Sequence, residues 1–233
     1  MVLGLTWFAA VRLAEFGAYL LDGPERSPER TLWYVADWAV LVMLLVGLLD
    51  DRRGGKDRGF RAHLASLSRL KPSTGALKLV IGGGLAVWLA LLLGGGTVRV
   101  AASALLIALT TNLVNALDVR PGRALKWSLP LMAVACVALA GEPLAILLAT
   151  AVGAGLGILP FDLSERGMLG DAGSNPLGLL AGLGLAAILP TWGVVVASAF
   201  AVALQVAAET VTISRLIDAT PPLRWLDRLG RRN

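Results

Sequence analysis

The sequence predicts an all-α membrane protein, a polytopic bundle of about eight transmembrane helices. Of its 233 residues, 56% are hydrophobic and 16% are charged. Water-soluble domains have about 45–50% apolar residues and about 25% charged residues. The mean hydropathy is +0.73, and a soluble chain of this length cannot bury that much apolar surface in one core. Apolar runs of nearly spanning length recur along the whole chain, and turn residues separate them.

Eight apolar runs approach or reach the roughly 20 residues that a spanning helix needs. They cover approximately residues 2–21, 32–49, 77–93, 98–117, 125–140, 143–159, 176–189 and 191–216. Their many glycine and alanine residues favour close helix packing in lipid. We therefore expect a single integral membrane domain of residues 1–233, in which residues 215–233 form a cytoplasmic tail with an amphipathic pattern.

The positive charge is distributed unevenly between the two sides of this predicted bundle. With eight spans, one side carries Arg52, Arg53, Lys56, Arg58, Arg61, Arg69, Lys71, Lys78, Arg120, Arg123, Lys126, Arg166, Arg215, Arg224, Arg228, Arg231 and Arg232. The other side carries Arg26, Arg30 and Arg99. The positive-inside rule makes the first side cytoplasmic, with both termini there. The predicted location is the cytoplasmic membrane, with lipids as partners and no nucleic acid.

Acidic and amide side chains from three distant segments lie at the cytoplasmic ends of these runs. They are Asp50 and Asp51 after the second run, Asn112, Asn115 and Asp118 at the end of the fourth, and Asp171 before the seventh. The spacing of three in the middle group puts its members along one helical face. The sequence thus predicts carboxylates and amides from separate segments at one membrane depth.

These side chains suit phosphoryl transfer. Mg²⁺ binds hard oxygen ligands, often one or two carboxylates together with waters and phosphate oxygens, and adjacent carboxylates stay ionised most easily near a cation. Structural roles remain as alternatives. The aspartate pair would then mark the water boundary, the asparagines would bond between helices, and Asp171 would cap a helix.

Three motifs resemble, in order, those of the polyprenyl-phosphate N-acetylhexosamine-1-phosphate transferases. This superfamily, glycosyltransferase family 4, includes the phospho-MurNAc-pentapeptide translocase and the GlcNAc-1-phosphate transferases. The motifs are Gly47-Leu-Leu-Asp-Asp51, Asn112-Leu-Val-Asn-Ala-Leu-Asp118, and Gly157-Ile-Leu-Pro-Phe-Asp162 followed by Met168-Leu-Gly-Asp-Ala-Gly-Ser-Asn-Pro-Leu-Gly178. The resemblance covers roughly residues 32–187 and indicates a short, divergent member.

The resemblance implies an enzyme that moves a sugar-1-phosphate from a UDP-sugar to a polyprenyl phosphate such as undecaprenyl phosphate and releases UMP. Cell-wall polymer assembly is the pathway expected from the family. Mg²⁺ is the implied cofactor, with Mn²⁺ as an alternative, and Asp171 and Asn115 are its implied ligands. Asp50 would deprotonate or orient the lipid phosphate with Asp51 in support, and Asp118 would position the nucleotide sugar. A homodimer is left open.

Further residues are expected to contact the substrates. The full set is Asn112, Asn115, Asp118, Lys56, Arg61, Arg120, Arg123, Gly173 and Ser174. For Lys56 and Arg61, anchoring at the membrane surface is an equal alternative. Pro121 stands where the family has a second aspartate, which implies altered nucleotide recognition, a diphosphate contact made by arginine instead, or lost activity.

Two other functions compete with the transferase. The first is a catalytically silent homologue that binds polyprenyl phosphate or organises an envelope pathway, and Pro121 favours it. The second is a small transporter, which ranks low. Transporters place charged residues near the bilayer midplane between repeats, whereas the carboxylates here lie at one surface and the sequence shows no internal repeat.

Overall fold

The computed structural model describes residues 28–53, 74–211 and 213–230, and the secondary structure in these ranges is entirely helical. The helices are α1 (Pro28–Arg53), α2 (Thr74–Leu93), α3 (Thr97–Leu117), α4 (Arg123–Ala138), α5 (Pro143–Leu163), α6 (Gly170–Ile188), α7 (Thr191–Val211), α8 (Ile213–Ala219) and α9 (Pro221–Arg228). The predicted all-α class is confirmed for these residues. The predicted span over residues 2–21, and the candidate site residues Lys56 and Arg61, lie outside the described ranges.

Several of these helices have the length and composition of membrane spans. Within the described ranges, four qualify fully: Glu29–Arg52, Thr97–Leu117, Pro143–Leu163 and Thr191–Ala208. The shorter apolar stretch Leu77–Leu93 lies in α2. The chain is therefore a helical membrane protein, and the count of eight spans stays a prediction.

Helix α6 lies at the centre of the bundle, where α1, α3 and α4 pack against it. Every residue from Ala172 to Gly184 is buried. A Cβ atom added at Gly178 would lie 2.6 Å from the Cα of Thr111, and one at Gly182 would lie 2.8 Å from the Cα of Ile107. This small-xxx-small spacing brings the backbones of α3 and α6 into contact.

The end of the bundle opposite the carboxylates is closed by short connections. Gly94 and Gly95 adopt φ angles of 72° and 102° between α2 and α3, a conformation that glycine adopts without steric cost. The guanidinium of Arg99 donates to the carbonyl oxygens of Leu189 and Ala186 at 2.9 and 3.0 Å. It thereby satisfies backbone acceptors near the C-terminus of α6, where a cation is also favoured by the helix dipole.

The helix boundaries at the polar end differ from the predicted ones. Helix α6 begins at Gly170, earlier than the predicted start at residue 176, so Asp171 lies in its first turn. Helix α7 ends at Val211, before the predicted end at residue 216. The start of α6 is set by polar contacts from Asp51 of α1, which apolar periodicity does not report.

Candidate active site

The C-terminal end of α1 and the N-terminal end of α6 are in backbone contact. A Cβ atom added at Gly47 would overlap the carbonyl oxygen of Asp171 and approach the amide nitrogen of Ala172 to 2.6 Å. Glycine is therefore required for this approach. It brings the aspartate pair that ends α1 beside the aspartate that begins α6.

Asp51 caps α6 from a different helix. Its Oδ1 accepts a hydrogen bond from the backbone N–H of Asp171 at 3.0 Å, and its Oδ2 accepts one from Ala172 at 3.1 Å. The first N–H groups of a helix have no partner within the helix, and the helix dipole favours an anion there. Asp51 therefore fixes the first turn of α6 and the position of Asp171.

Lys78 and Asn115 complete the cluster around Asp171. The Nζ atom of Lys78 lies 2.5 Å from Asp171 Oδ2 and 3.7 Å from Asp50 Oδ2. With its amide oriented by the hydrogen-bond network, Asn115 accepts from Lys78 at 2.9 Å and donates to Asp171 Oδ1 and to Ser174 Oγ, both at 2.8 Å. The ammonium group thus lies where oxygen atoms from three helices converge.

The structure brings together five of the ten predicted site residues that lie in the described ranges. Asp50, Asp51, Asn115, Asp171 and Ser174 share one cluster. Within it, Ser174 is fully buried and supports Asn115.

Two predicted substrate contacts face neighbouring parts of the protein. Asn112 donates to Oε1 of Gln205 at 2.8 Å, which is the interhelical hydrogen bond that the sequence left as an alternative. Gly173 packs against Leu169, whose Cδ2 atom lies 2.7 Å from the position of an added Cβ. Contact of either residue with substrate stays a prediction.

Arg120 and Arg123, which the sequence also assigned to substrate binding, are bonded to the C-terminal helices. Arg120 pairs with Asp218, and Arg123 is fully buried against Asp227. In the structure both guanidinium groups bind carboxylates of the chain itself. A contact with the diphosphate stays a prediction for Arg120, which is 38% exposed.

Lys78 and Asp162 are two candidates that sequence reasoning did not assign to the site. Lys78 was identified only as a cation at a span end, although a lysine just inside an apolar helix is costly without a partner. Asp162 is 1% exposed near the end of α5, and its Oδ2 accepts from the backbone N–H of Gly122 at 3.0 Å. A carboxylate within an apolar helix was the available signal for Asp162.

Asp118 follows the last residue of α3 and lies near the other carboxylates. The pKa of its carboxyl group is raised to about 8, chiefly by burial and also by the charges of Asp162, Asp171 and Asp51, while a hydrogen bond from the backbone of Gly170 lowers it. The negative charges of these neighbouring carboxylates therefore disfavour the charged form of Asp118. A cation or a cationic group of a ligand would be favoured there.

The raised pKa of Asp118 predicts a dependence of stability on pH. In the unfolded chain this aspartate titrates near 3.8 and in the folded chain at about 8. Between these values the folded state holds a proton that the unfolded state has lost, so the stability falls as the pH rises and levels off above pH 8.

The expected result is a steeper fall in Tm between about pH 5 and about pH 8 for the wild-type chain than for Asp118→Asn, in EDTA. Since 1 kcal/mol corresponds to about 2–4 °C in a chain of this size, we expect a difference of at least about 4 °C. Equal slopes for the two proteins would contradict the raised pKa. Differential scanning fluorimetry in detergent measures both.

The close approach at Gly47 gives a second prediction. Gly47→Ala places a methyl group in the backbone of α6, so we expect a loss of about 1–3 kcal/mol of stability and at least tenfold lower activity, because Asp171 moves. Gly84→Ala is the matched control, since an added Cβ there meets no atom within 4 Å. Thermal unfolding and turnover of both variants test the prediction, and equal behaviour of the two would contradict it.

The donor atoms in this cluster suit a magnesium ion. Oxygen atoms of Asp50, Asn115 and Asp171 surround the ammonium group of Lys78, so the structure already holds a cation at this point. Among the described residues, no three His, Cys, Asp or Glu side chains are arranged to hold a metal by themselves. Mg²⁺ commonly takes one or two carboxylates and completes its shell with water and substrate phosphates.

An apolar cavity adjoins the cluster. Its volume is about 360 Å³, and its lining includes Lys78, Met43, Leu105, Asn112 and Asn175. The cavity therefore places apolar surface beside the Lys78 side chain.

Comparison with known proteins identifies the family from more than half of the chain. The family model described as Glycosyl transferase family 4 matches residues 33–191. This range contains α2 to α6 and most of α1, and with them the whole cluster around Asp171. No curated protein matches the chain, and no solved structure matches it.

Proposed function

The chain belongs to glycosyl transferase family 4, a family of phospho-sugar transferases that act on lipid carriers, and we propose that its donor is a UDP-sugar and its acceptor a polyprenyl phosphate. The reaction would take place at the cytoplasmic face of the membrane, depend on Mg²⁺ and release UMP. Undecaprenyl phosphate is the acceptor of choice for testing.

One observation carries this proposal. The cluster of Asp50, Lys78, Asn115 and Asp171 lies at the end of an apolar bundle and next to an apolar cavity. A lipid phosphate likewise has a charged part and an apolar part. Its phosphate group needs cations and hydrogen-bond donors, and its lipid tail needs apolar surface.

The residues have distinct roles in the proposed transfer. An oxygen of the lipid phosphate forms a bond to the phosphorus that carries the sugar, and the bond from that phosphorus to UMP breaks, with its electron pair leaving on UMP. Asp50 deprotonates or orients the attacking phosphate. Lys78 exchanges its carboxylate partners for phosphate oxygens, and Asp51 holds the first turn of α6 in place.

Asp171 and Asn115 are the residues that would hold Mg²⁺, because both present oxygen atoms toward the position of the Lys78 ammonium. Bound there with the donor, the ion would neutralise diphosphate charge and stabilise the leaving UMP. Mn²⁺ is an alternative because it prefers similar oxygen ligands.

The proposed topology has eight spans, with the polar end and both termini in the cytoplasm. Arg166 and Glu142 are exposed at the two opposite ends of α5, and Cys136 is the single native cysteine. In a Cys136→Ser background, a cysteine at position 142 should react with an impermeant maleimide in intact cells. A cysteine at position 166 should react only after permeabilisation, and the reverse pattern would invert the topology.

UMP release is the experiment that tests the function. The purified protein is incubated with Mg²⁺, undecaprenyl phosphate and each member of a panel of UDP-sugars. We expect release from at least one donor, dependent on both the lipid and the metal. EDTA and omission of the lipid serve as controls.

A catalytically silent lipid-binding homologue is the second candidate. Pro121 replaces the second family aspartate, and the arginines beside it are bonded to carboxylates of the chain itself. A folded preparation that releases no UMP from any donor, but still binds polyprenyl phosphate, would favour this function over the transferase.

A further inference from the structure

The C-terminal helices are attached to the segment that links α3 to α4. Arg123, the first residue of α4, is fully buried, and its Nε and Nη2 atoms donate to the two carboxylate oxygens of Asp227 at 2.7 and 3.0 Å. Its Nη1 atom donates to Ser214 at 2.9 Å. Two residues from the C-terminal helices thus accept three hydrogen bonds from one guanidinium group.

Further contacts flank this buried pair. Arg120 donates to both carboxylate oxygens of Asp218, at 3.1 and 3.0 Å, and this pair is about 40% exposed. The Nζ atom of Lys126 donates to the backbone oxygens of Leu226 and Asp227, at 3.2 and 2.8 Å. All three cations around the start of α4 are therefore bonded to residues of the C-terminal helices.

These contacts compensate for an unfavourable charge arrangement. Arg123 and Lys126 lie in the first turn of α4, where the helix dipole disfavours cations, and a buried arginine without a counter-charge is strongly destabilising. Asp227 supplies the counter-charge. Docking of the C-terminal helices thus neutralises a buried charge at the start of α4.

The segment that links α3 to α4 also connects the C-terminal helices to the candidate active site. Residues 118–122 run from Asp118, which lies among the site carboxylates, to Gly122, whose N–H donates to Asp162. Gly122 has a φ of 71°, and a Cβ atom added there would overlap Leu163, so the turn is closely packed. Arg120 and Arg123 connect the same turn to the C-terminal helices, because they pair with Asp218 and Asp227.

We propose that residues 213–230 form a clasp that holds the loop of residues 118–122 in the position needed to bind the donor sugar nucleotide. This inference rests on the proposed function. Asp227 and Asp218 act as positioning residues through Arg123 and Arg120. The clasp holds the loop in which the family's second aspartate is replaced by Pro121.

The clasp makes a prediction that a general loss of folding does not. In Asp227→Asn the KM for the UDP-sugar is expected to rise about tenfold to a hundredfold because the loop shifts, while the KM for polyprenyl phosphate stays unchanged. Backbone amides of residues 118–126 should also exchange faster with D₂O. A purely structural role would lower the active fraction, and thus the apparent kcat, and leave both KM values unchanged.

Two further variants complete the test. Glu142→Gln also converts a carboxylate to an amide, but at an exposed position at the N-terminal end of α5. It should change neither the KM for the UDP-sugar nor the amide exchange of the loop. Asp218→Asn breaks only the half-exposed pair, so it remains informative where Asp227→Asn does not fold. We expect it to raise the donor KM up to about fivefold and to increase exchange in the same loop.

The outcomes separate the clasp from the proposed function. Faster loop exchange together with a higher donor KM supports the clasp. Unchanged exchange in a folded Asp218→Asn or Asp227→Asn variant overturns it, and so does faster exchange with an unchanged donor KM. A wild-type chain that releases no UMP contradicts the transferase, and in that case amide exchange in the loop decides for or against the clasp.

Discussion

Asp171→Asn is expected to lower the rate of UMP release by about a thousandfold or more. The substitution keeps the shape of the side chain and removes its charge, so Asp171 loses its ion pair with Lys78 and its proposed place as a metal ligand. Binding of both the metal and the diphosphate should weaken. The fold should survive, because the backbone contacts from Asp51 to α6 do not involve this side chain.

The matched control for this experiment is Glu165→Gln. Glu165 is exposed in the connection that precedes α6, at the same end of the bundle, and the change again converts a carboxylate to an amide. We expect this variant to retain wild-type turnover within about threefold. Near-normal activity of Asp171→Asn, with both variants folded, would show that the cluster is not the catalytic centre.

Lys78→Met is expected to lower turnover by about a hundredfold or more. Lys78 is 11% exposed, and its ammonium group pairs with the carboxylates of both Asp50 and Asp171. Without its charge these groups repel each other, and a substrate phosphate loses the ammonium group that we propose it binds. Methionine retains the apolar length of the side chain, so packing along α2 should be preserved.

Arg166→Met is the control for charge at this end of the bundle. Arg166 is exposed in the same connection as Glu165 and makes no side-chain contact with the cluster among those described. A comparable loss in both variants would mean that general surface charge, and not the ammonium of Lys78, supports activity. A loss confined to Lys78→Met would support its proposed contact with phosphate, most directly if the KM values of both substrates rise.

The sequence by itself was sufficient for the class of the protein and for the family. A run of apolar residues long enough to cross a bilayer must satisfy its backbone groups within itself, so it forms a helix whatever its neighbours are. Asp50, Asn115 and Asp171 were recognisable as candidate site residues for a similar reason. Each belongs to a short motif whose spacing is local, and local spacing is readable in one dimension.

Partnerships between distant residues were decided by the tertiary structure. Lys78 joins the site because α2 packs beside α1 and α3, and Asp51 became the cap of α6 because Gly47 allows the two backbones to touch.

Arg120 and Arg123 are a further case in which the sequence did not reveal the partners. Sequence reasoning predicted substrate contacts for Arg120 and Arg123, which stay predictions, and did not foresee their partners Asp218 and Asp227 about a hundred residues further along the chain. A side chain binds the nearest group of opposite charge once its own charge is removed from water. Which group is nearest depends on how the helices pack, and only the folded chain determines that.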